Sequence, residues 1–166
     1  VEQKHLKHRL LDNIWKPRGK LRERIPTRSE LKAILRIASP AFRRIYRCLI
    51  YTGARPGELA SAQIEDYDRK AHIIVLKKHK GQKTGRTRRI GVGMKMQSIL
   101  RCCIRKRQTG LIFLNDHGRK WTTETLSHTY HRLRDKARLS KDLVLYCTRH
   151  ATGTAICKKF GIYAAS

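Results

Sequence analysis

The stretch Tyr51-Thr-Gly-Ala-Arg-Pro-Gly-Glu-Leu59 marks the point where one apolar helix stops and another begins. The mostly apolar run Ile45–Ile50 leads into Gly53, a residue that tolerates the left-handed backbone on which helices commonly end. Pro56 suits the first turn of the next helix, where its fixed φ fits and its missing N–H is not needed. Arg55 stands between them in a Gly-Ala-Arg-Pro-Gly corner. Two readings fit this stretch alone. It is a helix junction carrying a solvated arginine, or a corner that holds one guanidinium still, as a phosphate clamp requires.

The composition favours a partner of negative charge. The chain has 166 residues, enough for one domain with its own apolar core. Against 12 Asp and Glu it carries 39 Lys and Arg, a formal net charge of +27. Such an excess points to a polyanion, of which nucleic acid is the commonest. No stretch approaches the length of a membrane-spanning helix, and Val1–Arg9 lacks the apolar core of a signal peptide. The five cysteines form no Cys-x-x-Cys pair and leave an odd count, so neither a disulfide framework nor a zinc site is expected. Most read as small core or near-core residues in a reducing cytosol. His128 and His131 lie three apart with no third ligand in evidence, so no metal and no cofactor is expected.

Outward from the corner, the periodicity alternates between helices and a hairpin. Thr27-Arg-Ser-Glu30 has the form of a capping box, and Leu31, Ile34, Leu35 and Ala38 then make one helix face. Ser39-Pro40 opens the next helix, with Phe42, Ile45, Leu49 and Ile50 as its apolar stripe. After Ile64-Glu-Asp-Tyr-Asp68, His72–Leu76 reads as a buried strand and Thr87–Val92 as its hairpin partner. The segment Lys77–Arg89 joining and entering them holds seven Lys or Arg in thirteen residues and no acid. Met96–Ile104 returns to helical spacing, Asn115–Gly118 is a turn, and Thr122 or Thr123 caps a helix with Leu126, Tyr130, Leu133 and Ala137 on one face. A last helix carries Arg149 and His150. The expected class is mixed α/β, mainly helical, with a small antiparallel hairpin or sheet. Residues 1–25 read as a basic linker or the tail of a preceding domain, and 26–166 as one domain.

Arg55, Lys83 and Arg149 thus stand on three separate elements, each beside a turn or a helix start. Two arginines on the non-bridging oxygens of one phosphate would stabilise the charge of a phosphoryl-transfer transition state. A lysine on a hairpin could protonate a leaving oxygen.

In these boxes the chain resembles the catalytic domain of the tyrosine recombinases, the phage integrase family. Thr52–Leu59 with Ile64-Glu-Asp66 is similar to that family's first arginine box, and Lys83-Thr-Gly-Arg-Thr-Arg-Arg-Ile90 to its hairpin box. Phe113–Trp121 and Tyr146-Cys-Thr-Arg-His150 are similar to later boxes, the last usually reading His-x-x-Arg-His. The resemblance implies that Arg55 and Arg149 grip the scissile phosphate. Lys83 would be the general acid, with Lys80 as runner-up, and Tyr146 would occupy the usual histidine's place. A tyrosine there can donate a hydrogen bond, but a phenol of pKa ~10 is a poor base. Lys80, Arg86, Arg88 and His150 would add phosphate or DNA contacts, His150 being first a packing residue. Glu58 and Asp66 would support the first arginine.

The implied activity is site-specific recombination or integration of double-stranded DNA through a 3′-phosphotyrosyl intermediate, without metal or cofactor. Further protomers on the DNA would be partners, and the setting cytoplasmic, nucleoid-associated and of bacterial or phage type. The family's nucleophilic tyrosine is expected beyond Ser166, with Tyr163 a loop residue, so the chain alone is expected to be inactive. The alternative is a recombinase remnant that holds DNA without cutting it. A third reading, a general nucleic-acid binder, leaves the arginine boxes unexplained.

Overall fold

A computed structural model describes residues 24–76 and 87–160, apart from the side chains of residues 159 and 160. Helix α1 (Arg28–Ile37) starts on the expected capping box: Thr27 Oγ1 accepts from the Glu30 N–H, and the Thr27 N–H donates to Glu30 Oε2 at 2.7 Å. Helix α2 (Pro40–Thr52) starts on Ser39, whose hydroxyl accepts from the Phe42 N–H. It stops at Gly53 in the left-handed region, φ 61°, with the Gly53 N–H returned to the Leu49 carbonyl. A six-residue helix α3 (Pro56–Ser61) and a single 3₁₀ turn (Ile64–Asp66) follow.

Three short strands form one antiparallel sheet in the order β1 (Tyr67–Asp68), β2 (Ile73–Leu76), β3 (Arg88–Gly91). Across the hairpin Ile74 faces Ile90 and Leu76 faces Arg88. The four aliphatic residues of β2 suggested burial on both faces. Instead only Ile74 and Leu76 are buried, while Ile73 and Val75 are half-exposed. One sheet face alone meets the core, so the period-two rule holds beneath an apolar run. Helices α4 (Met94–Ile104), α5 (Thr123–Lys136) and α6 (Cys147–Phe160) complete the order.

Helix α2 is the axis of the core. Its Phe42, Ile45, Tyr46 and Leu49 are essentially fully buried, and it packs on α3, α4 and α6. Phe42 stacks on Tyr46, meets Trp121 edge-on, and Tyr46 lies against Tyr130 of α5. Burial pushes the Tyr130 phenol up to about 12, and the Tyr46 phenol up as well. These rings are therefore neutral core residues. Cys48 and Cys147 are buried, Cys103 and Cys157 half-buried, and Cys102 exposed. No helix among the described residues is long and apolar enough to cross a membrane.

Several arginines are turned inward. Arg134, 8% exposed, donates to the Lys141 and Leu143 carbonyls and fixes the loop that enters α6. Arg107 donates to the carbonyls of Cys103, Leu111 and Ile112, tying the end of α4 to the next segment. Asp116, in the turn after Phe113, accepts from the Ser39 hydroxyl and the Ala41 N–H at the start of α2. All three connect parts of the chain that share no local pattern. They fix the start of α2, the end of α4 and the entrance to α6.

Candidate phosphate-binding site

The Gly53–Glu58 corner is built from two helix ends. Gly53 closes α2 and Arg55 occupies the cap position of α3. Glu58, three residues on, folds back so that Oε2 accepts the Arg55 backbone N–H at 2.9 Å and Oε1 accepts Arg55 Nη1 at 2.9 Å. The Glu58 side chain is 6% exposed and that of Arg55 is 42% exposed. An unpaired carboxylate so deep would be strongly unfavourable, and the guanidinium and backbone N–H offset that. The hydrogen bond to Glu58 raises the Arg55 pKa, so Arg55 is a permanent cation. Its acid end is buried and its other edge faces outward.

Arg149 comes from the first turns of α6 and reaches the same corner. Its Nη1 donates to the Gly53 carbonyl at 2.6 Å. That carbonyl ends α2, where the helix dipole favours a cation. Helix α6 is held there by Thr152, whose hydroxyl donates to the Ile50 carbonyl at 2.8 Å. The fit is close. A Cβ built on Gly53 would lie 3.1 Å from the Thr152 Cβ, and one on Gly57 would lie 3.0 Å from the Thr123 hydroxyl at the start of α5. Small residues at 53 and 57 thus let α6 and α5 approach the corner.

Tyr146 joins them. It is 44% exposed, its ring meets the exposed His150 edge-on with centroids 5.5 Å apart, and its hydroxyl contributes to the raised proton affinity of Arg55. Arg88, at the root of β3, brings Nε to 3.5 Å from Glu58 Oε1. Arg55, Glu58, Tyr146, Arg149 and Arg88 are therefore gathered on one corner from three segments of the chain. Asp66 is elsewhere: it accepts the Gln63 N–H and closes the 3₁₀ turn, and no hydrogen bond or ion pair joins it to Arg55 among the described residues. Lys80, Lys83 and Arg86 lie outside the described residues.

Sequence reasoning did not find the Arg149–Gly53 carbonyl bond, the Thr152 clamp or the Arg88–Glu58 pair. The third-position glutamate after a helix cap was a readable sign of Glu58's bond to the Arg55 backbone. The other three join residues 30 to 102 positions apart, beyond any local pattern.

A sequence model of the phage integrase family matches residues 25–160. Among solved structures, a lambda integrase dimer bound to a COC′ core site superposes with a TM-score of 0.75 at 16% identity, covering 98% of this chain and 66% of that one. The lambda integrase catalytic core gives 0.70 at 19% identity, covering 85% of this chain and 87% of that one. XerA recombinase gives 0.67 at 20% identity, covering 90% and 56%. At these identities the likeness is one of fold, and the chain spans about two-thirds or less of the longer structures. No curated protein sequence matches.

Proposed function

The chain belongs to the phage integrase family, and from that membership we propose that it is the catalytic part of a site-specific DNA recombinase. Residues 26–166 form the integrase-type domain, and 1–25 the linker or tail of a preceding DNA-binding domain. One observation carries the reading: Arg55 is anchored on Glu58 and Arg149 on the Gly53 carbonyl of the same corner, each with nitrogens left over. Paired guanidiniums there suit the non-bridging oxygens of a phosphodiester and the charge that grows on them during displacement.

In the reaction a tyrosine oxygen attacks the phosphorus, and the bond to the 5′ oxygen breaks as that oxygen takes a proton from Lys83. A 5′ hydroxyl of a partner strand then attacks the 3′-phosphotyrosyl link and releases the tyrosine. The covalent intermediate divides one difficult displacement into two easier ones and conserves the bond energy. Tyr146 contributes a hydrogen bond to the phosphate, and His150 supports the Tyr146 ring. Duplex DNA is the substrate, and further protomers are partners, as in the lambda integrase dimer and tetramer of similar fold. The setting is cytoplasmic and nucleoid-associated.

A second reading, DNA holding without cleavage, draws on the described tyrosines. Tyr46 and Tyr130 are buried, the exposed Tyr51 lies on the last turn of α2 and Tyr67 in β1, and by the family resemblance Tyr146 takes the place of a phosphate-contacting histidine rather than that of a nucleophile.

Two measurements test these readings. Binding to a labelled duplex is expected to weaken with salt, log K falling by about 0.9 per phosphate contact for each tenfold rise in salt. Arg55→Ala should weaken it about tenfold or more, the effect of a lost charged hydrogen bond, while Arg101→Ala on the exposed face of α4 should change little. Equal effects of the two would mean that diffuse charge, not a phosphate site, binds the DNA. With a nicked duplex that traps the intermediate, an SDS-stable adduct formed by this chain would eliminate the binding-only reading and place the nucleophile within it.

A further inference from the structure

Glu58 serves two arginines at once, and only one of them belongs to the corner by sequence. Its Oε2 is taken by the Arg55 backbone N–H. Its Oε1 is shared by Arg55 Nη1 at 2.9 Å and Arg88 Nε at 3.5 Å. Arg88 sits at the end of β3 opposite Leu76, where the hairpin leaves the sheet. Its Nε is buried without a hydrogen-bond partner among the described residues, so its interaction with Glu58 is an ion pair at longer range. A side chain with that nitrogen turned inward to a 6%-exposed carboxylate is not presented to DNA as a free surface cation is.

We propose that Arg88 is a positioning residue: through Glu58 it ties the root of the hairpin to the arginine corner and keeps Arg55 available for a phosphate. The charges show how. One buried carboxylate facing one guanidinium would draw Arg55 into a two-pronged pair, the geometry carboxylates and arginines favour. Such a pair would consume the edge of Arg55 that a phosphate needs. A second guanidinium on Oε1 divides the attraction, so that Arg55 gives Glu58 one side-chain nitrogen and retains the rest. The cluster Arg55–Glu58–Arg88 also keeps a net positive charge beside Arg149. The sequence neighbourhood of Arg88, dense in cations, suggested a DNA contact. Its partner in the fold suggests a brace.

This inference rests on the phosphate-site reading of Arg55, and a double-mutant cycle separates the two. The affinity of the full chain for a fluorescein-labelled mixed-sequence duplex would be measured for native, Arg88→Ala, Glu58→Gln and the double variant, alongside thermal midpoints. The Arg55 Nε–H resonance would be followed by NMR in the DNA-free chain. Arg88→Ala should weaken binding about fivefold with Glu58 present and less than about twofold in the Glu58→Gln background, the non-additivity expected within one network. It should also shift the Arg55 resonance before any DNA is added. If Arg88 touches phosphate directly, its loss will cost the same factor in both backgrounds and leave the free Arg55 resonance unmoved, which overturns the proposal. A purely structural role, which overturns it too, would lower the midpoint without moving the Arg55 signal. Should Arg88→Ala fail to fold, Arg88→Gln keeps the bulk and serves in the same cycle. If Arg55→Ala leaves binding unchanged, the phosphate-site reading fails, while the Arg55 resonance still reports on the brace.

Discussion

Replacing Gly53 by alanine should damage both the fold and the site, and the size of the effect follows from two contacts. The first is backbone strain. Gly53 has φ 61°, and an L-residue with a Cβ pays about 1–2 kcal/mol to hold that conformation. The second is crowding. The new Cβ would lie 3.1 Å from the Thr152 Cβ and 3.2 Å from its Cγ2, so α6 must give way by a few tenths of an ångström. Thr152 cannot simply swing aside, because its hydroxyl donates to the Ile50 carbonyl. Overpacking of this kind typically adds about 1 kcal/mol or more. Together they predict a loss of about 2–3 kcal/mol, which for a domain of this size lowers the thermal midpoint by about 4–12 °C.

The two contributions can be told apart by circular dichroism melts of three further variants: Gly53→Asn, Thr152→Ser, and Gly53→Ala combined with Thr152→Ser. Gly53→Asn keeps a Cβ but tolerates the left-handed region better, so it should recover part of the strain and none of the crowding. Thr152→Ser removes Cγ2 while keeping the hydroxyl, so Gly53→Ala should be milder in that background. The site should register the change as well. An α6 displaced from Gly53 moves Arg149 off its carbonyl partner, so duplex affinity should fall even well below the midpoint. A Gly53→Ala protein that melts within about 1 °C of native and binds DNA normally would refute the reasoning, since the shift expected per kcal/mol is several times larger. An equal loss in the Thr152→Ser background would refute the share of the crowding assigned to Cγ2.

Two further perturbations separate structural charge from functional charge. Arg134→Ala should destabilise the chain by about 2–3 kcal/mol, because two carbonyls of the loop entering α6 lose their donor; the salt dependence of DNA binding should stay unchanged, and a shallower slope would mean that Arg134 reaches phosphate after all. Glu30 gives a pH test: burial by itself would raise its pKa, but the Thr27 N–H and hydroxyl and the Arg24 guanidinium outweigh burial and hold it below 4.5. A carboxyl with a depressed folded pKa stabilises the fold above its unfolded value and loses that contribution as pH falls through the folded one. Midpoints measured from pH 4.5 downward should therefore fall more steeply for native than for Glu30→Gln, and parallel curves would exclude the linkage.

The local parts of the structure were legible because their causes are local. Thr27 with Glu30, Ser39 with Pro40, Gly53 before Pro56, and Thr122 each fix a helix end within four residues, and the structure puts helix ends at all of them. The apolar stripe of α2 was equally readable, since period and burial coincide. Strand β2 was misjudged in burial because Ile73–Leu76 carries no polar residue to mark the outward face. Strand β1 was not separated from the approach to β2 because two residues, Tyr67 and Asp68, are too few to show any period. Read from the residues alone the site was three separate cations, to which the family resemblance added Glu58, Asp66 and Tyr146 as expectations. What joins the two described ones, Arg55 and Arg149, passes through Gly53's carbonyl and Glu58's carboxylate, and the partners of the first are set by tertiary packing.

On the proposed reading, that division bears on how a chain of net charge +27 would hold one phosphate selectively. Diffuse charge attracts DNA everywhere along its length and specifies nothing, since every phosphate looks alike to a solvated lysine. Selectivity needs guanidiniums whose direction is fixed before DNA arrives, and fixing a cation needs an acceptor that does not itself consume the charge. Arg107 spends its donors on backbone carbonyls, and Arg134 divides its own between two carbonyls and the Asp135 carboxylate, so both serve as structural ties. Arg149 commits one nitrogen to one carbonyl, and Arg55 one to a carboxylate that Arg88 shares. With 12 acids in the whole chain, a buried one at position 58 is a scarce resource placed where it orders two arginines. The corner is therefore set apart from the remaining basic surface by restraint of its cations, and the loss of that restraint, more than any loss of net charge, is what should abolish its selectivity.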